Sequence, residues 1–222
     1  MPAVTARQAK PYKGINMEGP IATWYAKNTA GSLAEFKALA ERIAGGLGRG
    51  DWVLEVAPGP GYLAVELARL GLTVSALDIS QTFVRITTEN AARAGVKVDA
   101  RQGDAAATPF HAEMFDFVVC RAAFKNFSNP VGALREMRRV LRPGGAALII
   151  DMRKEASNRE IAAEVKKMRL GAVDGLVTRA ALRSLRGRAY TAPDFVRMIA
   201  EAGFTQSRID PGPIGFEITL VK

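Results

Sequence analysis

Short apolar segments alternate with amphipathic segments through the middle of this 222-residue chain. Apolar runs typical of buried strands lie at 52–56, 73–77, 97–101, 115–120 and 146–151. Apolar side chains recur at helical spacing at 60–70, 81–94 and 130–141, and a single turn is expected at 107–113. This alternation predicts an α/β fold, in which helices cover both faces of a mainly parallel sheet through right-handed crossovers.

Both ends of the chain depart from this alternation. Residues 1–19 show no clear period and predict an arm, and the helical pattern at 21–43 is broken around residues 28–32. After Asp151, residues 155–188 predict two short helices, because glycines interrupt the helical spacing.

The last apolar segments predict one more helix and two strands. Thr191–Asp194 has the pattern of a capping box, and the helix that it begins is expected to end at Gly203. The strands at 205–210 and 216–221 are joined too closely for a crossover, so they should be antiparallel. We expect a single domain in four parts: arm and lid helices at 1–50, core at 51–152, helical cap at 153–190, last helix and hairpin at 191–222.

The composition limits the bound groups and the cellular locations that are expected for this protein. A single cysteine excludes an internal disulfide and offers no metal cluster. The N-terminus has no apolar signal region, and the apolar runs are too short to span a bilayer, so a cytoplasmic protein is expected.

The net charge of +9 is unevenly distributed along the chain. Residues 153–188 hold ten basic residues and four acidic residues, a net charge of +6. Such a segment attracts nucleic acid, acidic lipid headgroups or an anionic substrate. The alternative interpretation is a solvated helix face without a partner.

The most informative stretch runs from Trp52 to Tyr62, with Asp78 downstream. An apolar strand ends in an acid, a Gly/Pro turn follows, and a helix begins, so amide groups and a helix dipole point at one spot. Gly59 and Gly61 would let a ligand approach the backbone. Asp78 ends the second strand, where its carboxylate can accept both hydroxyls of a ribose. The stretch predicts a nucleoside-cofactor site.

The glycines alone do not identify the cofactor. Gly59-x-Gly61-x-x-Ala64 also fits the dinucleotide fingerprint, and Asp78 lies at about the spacing that this fingerprint expects. A nicotinamide cofactor therefore remains an alternative on these residues.

Further motifs, in order along the chain, resemble those of the class I S-adenosylmethionine-dependent methyltransferases, over about residues 40–222. They are Leu54–Gly61, Leu77–Ser80, Gly103–Ala105, Phe115–Val119 and Leu134–Gly145. The terminal antiparallel hairpin also resembles that fold, which has a seven-stranded sheet. Ala57 stands where the family often has a glycine, and its methyl group is expected to weaken cofactor binding modestly.

The resemblance implies S-adenosylmethionine as the cofactor and S-adenosylhomocysteine as the product. Asp78 would hold the ribose, Asp104 and Ala105 the adenine, and Glu55 the cationic methionine part. The implied cofactor-binding residues are Glu55, Ala57, Pro58, Gly59, Gly61, Asp78, Ile79, Gly103, Asp104, Ala105 and Arg121.

The segment Cys120–Phe127 looks like the acceptor-side loop of the ubiquinone/menaquinone C-methyltransferase branch. Lys125-Asn126 falls where that branch often carries Arg-Asn. The candidate catalytic residues are Arg121, Lys125, Asn126 and the sole histidine, His111, whose alternative role is that of a surface loop residue. The candidate lid and substrate residues are Trp24, Tyr25 and Phe124. Cys120 is expected to be a structural thiol.

We therefore expect a methyltransferase that acts on a hydrophobic, anionic or quinone-like small molecule. The motifs of base-modifying enzymes are missing, which disfavours a nucleic-acid methyltransferase. A cofactor-binding module without methyl transfer is the third hypothesis. The protein should be a monomer or a homodimer, without a metal, and the basic cap offers a peripheral membrane contact.

Overall fold

Seven strands form one sheet in the computed structural model, which describes residues 12–14, 17–29, 31, 33–168 and 170–222. The strands are β1 Trp52–Val56, β2 Thr73–Asp78, β3 Val98–Gln102, β4 Phe115–Arg121, β5 Leu141–Met152, β6 Gln206–Pro211 and β7 Gly215–Val221. Their spatial order is β3-β2-β1-β4-β5-β7-β6. β1 to β5 are parallel, and β7 is antiparallel to both β5 and β6. The predicted fold is confirmed.

Eight α-helices lie within the described residues. They are α1 Gly19–Thr29, α2 Leu33–Ala44, α3 Tyr62–Arg69, α4 Gln81–Arg93, α5 Pro130–Val140, α6 Asn158–Lys167, α7 Ala172–Arg186 and α8 Ala192–Ala202. None of these helices combines the length and the apolar character that crossing a membrane requires. The arm predicted at 1–19 falls largely outside the described residues.

The central strands are apolar on both faces because helices cover the sheet from both sides. Along β1, Leu54 and Val56 join the core beneath α5 and α8, whereas Val53 joins the core beneath α2 and α3. Val118 and Val119 of β4 divide between the two cores in the same way. This explains why the strands read as continuous apolar runs.

The C-terminal helix begins and ends as the sequence predicts. The Thr191 side chain accepts a hydrogen bond from the Asp194 amide, and the Asp194 carboxylate accepts one from the Thr191 amide at 3.1 Å. α8 ends before Gly203, whose φ of 85° is the left-handed conformation common after helices.

The turn predicted within 107–113 is present, at residues 112–113. Two other expectations are wrong. β5 begins at Leu141, five residues before the predicted start, because Leu141 already pairs with Phe115 across a bulge. Gly175 lies inside α7, where it lowers helix stability by about 1 kcal/mol without ending the helix.

Candidate active site

A cavity of about 1040 Å³ opens at the carboxyl ends of the parallel strands, between α1 and the end of α7. Ligand pockets for small molecules typically measure about 300–1,000 Å³, so this cavity is at the large end of that range. The predicted site residues that line it are Trp24, Tyr25, Glu55, Ala57, Pro58, Gly59, Asp78, Ile79, Gly103, Asp104, Ala105, Arg121, Lys125 and Asn126. The topology therefore brings most of the predicted site together.

The turn after β1 has left-handed backbone at two positions that line the cavity. Ala57 has a φ of 55° and Gly59 a φ of 56°. A Cβ on Gly59 would make only ordinary van der Waals contacts, since the nearest atom, in the Tyr25 ring, is 3.8 Å away. Gly59 thus allows a ligand to approach the backbone. Ala57 holds a conformation that favours glycine.

Gly61 is not among the residues that line the cavity, which corrects the expectation that it admits a ligand. Its φ is 73°, and a Cβ there would lie 2.5 Å from a side-chain carbon of Thr87 on α4. This glycine therefore lets α3 and α4 pack closely together.

Asp78 lies in the cavity wall and is 6% exposed. Its carboxylate accepts hydrogen bonds from the amides of Gly59, at 3.1 Å, and Ser80, at 2.9 Å. Burial raises the pKa of Asp78 to about 6. The remaining lone pairs can accept hydroxyl donors, as a ribose diol would require.

Glu55 presents an unsatisfied carboxylate to the same cavity. The side chain is buried, and Oε2 has no hydrogen-bond partner among the described residues. Burial raises the pKa of Glu55 to about 8. An unpartnered buried carboxylate is costly unless a donor or a cation reaches it, so Glu55 fits a cationic ligand group.

Asp104 lies in a tight turn after β3. Its Oδ1 accepts from the Ala106 amide at 2.9 Å, and Gly103 donates its amide to the Asp78 carbonyl at 2.9 Å. No helix follows Asp104 in this described segment, so its side chain does not cap a helix. Asp104 and Ala105 remain available to a ligand in the cavity.

Arg121 and Lys125 are both already paired with carboxylates. Arg121 contacts Glu35 of α2 at 3.0 Å, and its guanidinium lies over the Phe36 ring. Lys125 is 4% exposed and donates to Asp151 of β5 at 2.8 Å. These two cations are therefore less free to bind an acceptor than the sequence predicted.

Asn126 differs from its neighbour Lys125, since its Oδ1 is buried without a hydrogen-bond partner among the described residues. Its side chain lines the cavity. A hydroxyl or amine donor on a ligand would satisfy this atom. Asn126 is thus the polar group of the predicted acceptor loop that is best placed to bind a substrate.

Besides Gly61, two predicted residues do not line the cavity. Phe124 is fully buried and packs against Phe127, Tyr190 and Phe195, so it belongs to the core and not to a lid. His111 is exposed on the loop before β4 and is not among the lining residues, which removes it from the candidate catalytic residues.

Trp24 and Tyr25 of α1 line the cavity. Trp24 is 65% exposed, and Tyr25 packs edge-on against Phe83 with ring centroids 5.9 Å apart, so both can border a ligand.

Cys120 is fully buried, and burial raises the pKa of its thiol. The thiol is therefore structural.

Sequence reasoning missed the far end of the cavity. Its walls are formed by residues from the arm, β5, the end of α7 and the β6–β7 turn: Tyr12, Met152, Leu182, Leu185, Arg188, Ile214 and Phe216. The spacing of Leu182 and Leu185 along one helix face was the available signal. Their partners lie far away in the sequence, so only the fold brings them together.

Comparisons with known proteins agree with this geometry. A family model described as a methyltransferase domain matches residues 54–149. The demethylmenaquinone methyltransferase of Mycobacterium tuberculosis is 37% identical over 126 residues, which are 56% of this chain and 51% of that protein. The ubiquinone/menaquinone biosynthesis C-methyltransferase UbiE of Escherichia coli is 35% identical over 115 residues, 49% and 45% of the two chains.

Residues 54–149 are therefore similar to the methyltransferase domain of class I S-adenosylmethionine-dependent methyltransferases of the type-11 branch. The chain spans about half the length of the curated relatives it matches. The crystal structure of a putative S-adenosylmethionine-dependent methyltransferase from Methanococcus maripaludis shares the fold, with a TM-score of 0.75, 23% identity and coverage of 94% and 95% of the two chains. Three of the motifs named from the sequence contribute residues to the cavity lining: Leu54–Gly61, Leu77–Ser80 and Gly103–Ala105.

We predict that Ala57→Gly raises the free energy of unfolding by up to about 1 kcal/mol. Relief of left-handed strain, about 1–2 kcal/mol, should exceed the entropic cost of glycine, about 0.5–1 kcal/mol. The matched variant Gly59→Ala, at nearly the same φ, should lower it by a similar amount. Urea unfolding measures both, and a clear loss of stability in Ala57→Gly would contradict the strain argument.

The Glu55 carboxyl should make stability depend on pH. Its pKa is 4.5 when exposed and about 8 in the folded protein, so the folded state keeps a proton that the unfolded chain releases. The stabilisation is complete below the unfolded value and is lost as pH rises through about 8, at up to about 1.4 kcal/mol per pH unit.

Without cofactor, the free energy of unfolding should therefore fall more steeply toward alkaline pH in the wild type than in Glu55→Gln. The exposed variant Glu89→Gln serves as the control and should follow the wild type. Equal slopes for wild type and Glu55→Gln, by denaturant unfolding across neutral pH, would contradict this assignment.

The buried pair of Lys125 and Asp151 should be structural. Asp151→Ala leaves a buried ammonium unpaired and should lower the free energy of unfolding by about 3–5 kcal/mol. The double variant Lys125→Met/Asp151→Leu should recover most of this loss. Asp210→Ala, which removes an exposed pair with Arg208, should cost less than about 1 kcal/mol. An equally mild Asp151→Ala would show that Lys125 is free for other roles.

Proposed function

We propose that the protein transfers a methyl group from S-adenosylmethionine to a hydrophobic small molecule. The observation that carries this proposal is a row of carboxylates on one cavity wall: Glu55 of β1, Asp78 at the end of β2 and Asp104 after β3. No described cation forms an ion pair with any of them. This wall suits a ligand that carries a diol, an exocyclic amine and two cationic groups.

Each group has a distinct task in this proposal. Asp78 accepts from the ribose hydroxyls, and Asp104 accepts from the adenine amine while the Ala105 amide donates to the ring. Glu55 stabilises the ammonium of the methionine part, which satisfies its orphaned Oε2. When bound, the cofactor supplies a methyl group already activated on a sulfonium, so the chain mainly has to align the two ligands and exclude water.

The remaining part of the cavity would hold the methyl acceptor. Apolar side chains from β5, α7 and the β6–β7 turn form its walls, among them Met152, Leu185 and Ile214. Asn126 supplies an unpartnered carbonyl oxygen for a hydroxyl or amine on the acceptor. Trp24 and Tyr25 on α1 border the opening, where we propose that they act as a lid. The acceptor is therefore a largely apolar molecule with at least one hydrogen-bond donor.

Calorimetric titration with S-adenosylhomocysteine tests the cofactor site directly. The wild type should bind it with micromolar affinity and should not bind NAD, and Asp78→Ala should lose at least about tenfold in affinity. Asp99→Ala, on the neighbouring strand β3, is the matched control and should bind normally. Binding of NAD, or no binding by the wild type, would contradict the proposal.

Turnover then separates the remaining hypotheses. Formation of S-adenosylhomocysteine with phenolic, quinol or carboxylic acceptors would support small-molecule methyl transfer. Salt-sensitive binding and methylation of RNA would instead show a nucleic-acid methyltransferase. Cofactor binding without turnover across this panel would indicate a binding module.

A further inference from the structure

One cation at the far end of the cavity is left without a partner. Arg188 follows α7 and lines the cavity, and its half-buried side chain forms no ion pair with any described residue. Its Nε is buried and has no hydrogen-bond partner there. A guanidinium has five N–H donors, so a buried donor without an acceptor is an unusual cost.

The other charged residues around this part of the cavity are neutralised within the protein. Every other described charged residue that lines the cavity, apart from Glu55, Asp78 and Asp104, has an opposite charge within 3.0 Å. The pairs are Arg121 with Glu35, Lys125 with Asp151, Glu164 with Lys167 and Glu217 with Arg42. Among the described lining residues, Arg188 is thus the cation that remains for a ligand.

The backbone around Arg188 is held in place. The Arg188 amide donates to the Leu185 carbonyl at 3.0 Å, and the Ala189 amide donates to the Arg186 carbonyl at 3.1 Å. Ala189 is buried, and the backbone of Tyr190 forms an isolated parallel β-bridge with that of Arg153. The guanidinium is therefore presented from a fixed base, which reduces the entropy lost when it binds a ligand.

The phenol of Tyr12 links Arg188 to the rest of the site. Tyr12 bridges to Phe127 beside the acceptor loop, and the charges of both Arg188 and Asp78 act on its hydroxyl. Burial raises the pKa of Tyr12, so its hydroxyl is protonated and can donate a hydrogen bond. Arg188 and Tyr12 thus both contribute hydrogen-bond donors to the lining of the same cavity.

We propose that Arg188 binds an oxyanion of the methyl acceptor, so that the natural acceptor is an apolar molecule with a carboxylate or phosphate group. This inference rests on the proposed function, because it assigns the second ligand of the same cavity. The planar guanidinium fork matches either oxyanion through two parallel hydrogen bonds. The apolar walls of Met152, Leu182 and Leu185 strengthen such a contact by excluding water.

Matched aromatic probes test this assignment on protein saturated with S-adenosylhomocysteine. We would titrate 2-naphthoate, 2-naphthyl phosphate and the neutral 2-naphthamide by calorimetry. The wild type should bind one of the two anions at least about tenfold more tightly than the amide. The tighter anion identifies which oxyanion the site takes.

Variants then show whether Arg188 causes the preference. Arg188→Gln should abolish it, and Arg188→Lys should keep part of it, because a lysine retains the charge without the planar fork. Arg183→Gln, an exposed arginine of α7, is the matched control and should keep the full preference. All variants should bind S-adenosylhomocysteine like the wild type, which also shows that they are folded.

The outcomes separate this inference from the proposed function. Loss of S-adenosylhomocysteine binding in the wild type would overturn the proposed function itself. If the wild type binds that product normally, three results would overturn the role of Arg188 alone. These are no binding of either anion, equal binding of amide and anion, and a preference for the anion that persists in Arg188→Gln.

Discussion

The Asp78 residue holds together the three loops on which the cofactor wall depends. Its carboxylate accepts from the amide of Gly59 in the turn after β1 and from the amide of Ser80 after β2. Its carbonyl accepts from the amide of Gly103 after β3. A single residue thus sets the spacing of three strand ends. Because it is buried and its pKa is raised, a ligand that donates to its carboxylate stabilises the ionised form and the loops together.

Some buried charged side chains in this molecule are paired with each other, and others have a buried atom without a partner. We infer a structural role for the first kind and a ligand-binding role for the second. Lys125 and Asp151 neutralise each other within the protein, so their burial needs no ligand. The Glu55 Oε2 and the Arg188 Nε are buried without a partner among the described residues. Such atoms raise the free energy of the unliganded protein, and a ligand of opposite charge removes that cost. These two side chains are consequently better guides to binding than the paired cations are.

The alternation of strands and helices, the antiparallel hairpin and the α8 cap could be predicted because each depends on local patterns or on connection length. The role of a glycine could not always be predicted: Gly59 and Gly61 share one motif, yet Gly59 faces the cavity and Gly61 contacts Thr87 of α4. The position of Phe124 was beyond local reasoning for the same reason, since its surroundings come from α8 and the segment after α7. The local sequence indicates which residues belong to a motif, whereas tertiary packing determines which residues their side chains contact.

The residues that would bind the methyl acceptor lie largely outside the part of the chain that the family model matches. The family model ends at residue 149, whereas Arg188, Leu185 and Ile214 lie beyond it, and Tyr12 lies before its start at residue 54. The wall that carries Glu55, Asp78 and Asp104 is built from the part of the chain that the family model matches. The far wall is built from the cap, the arm and the hairpin, which lie outside the matched residues. The cavity is lined by Glu55, Asp78 and Asp104, which form no ion pair with a described residue, and by Arg188, the described lining cation without an ion pair. This arrangement favours cationic ligand groups near the carboxylates and an anionic group near Arg188.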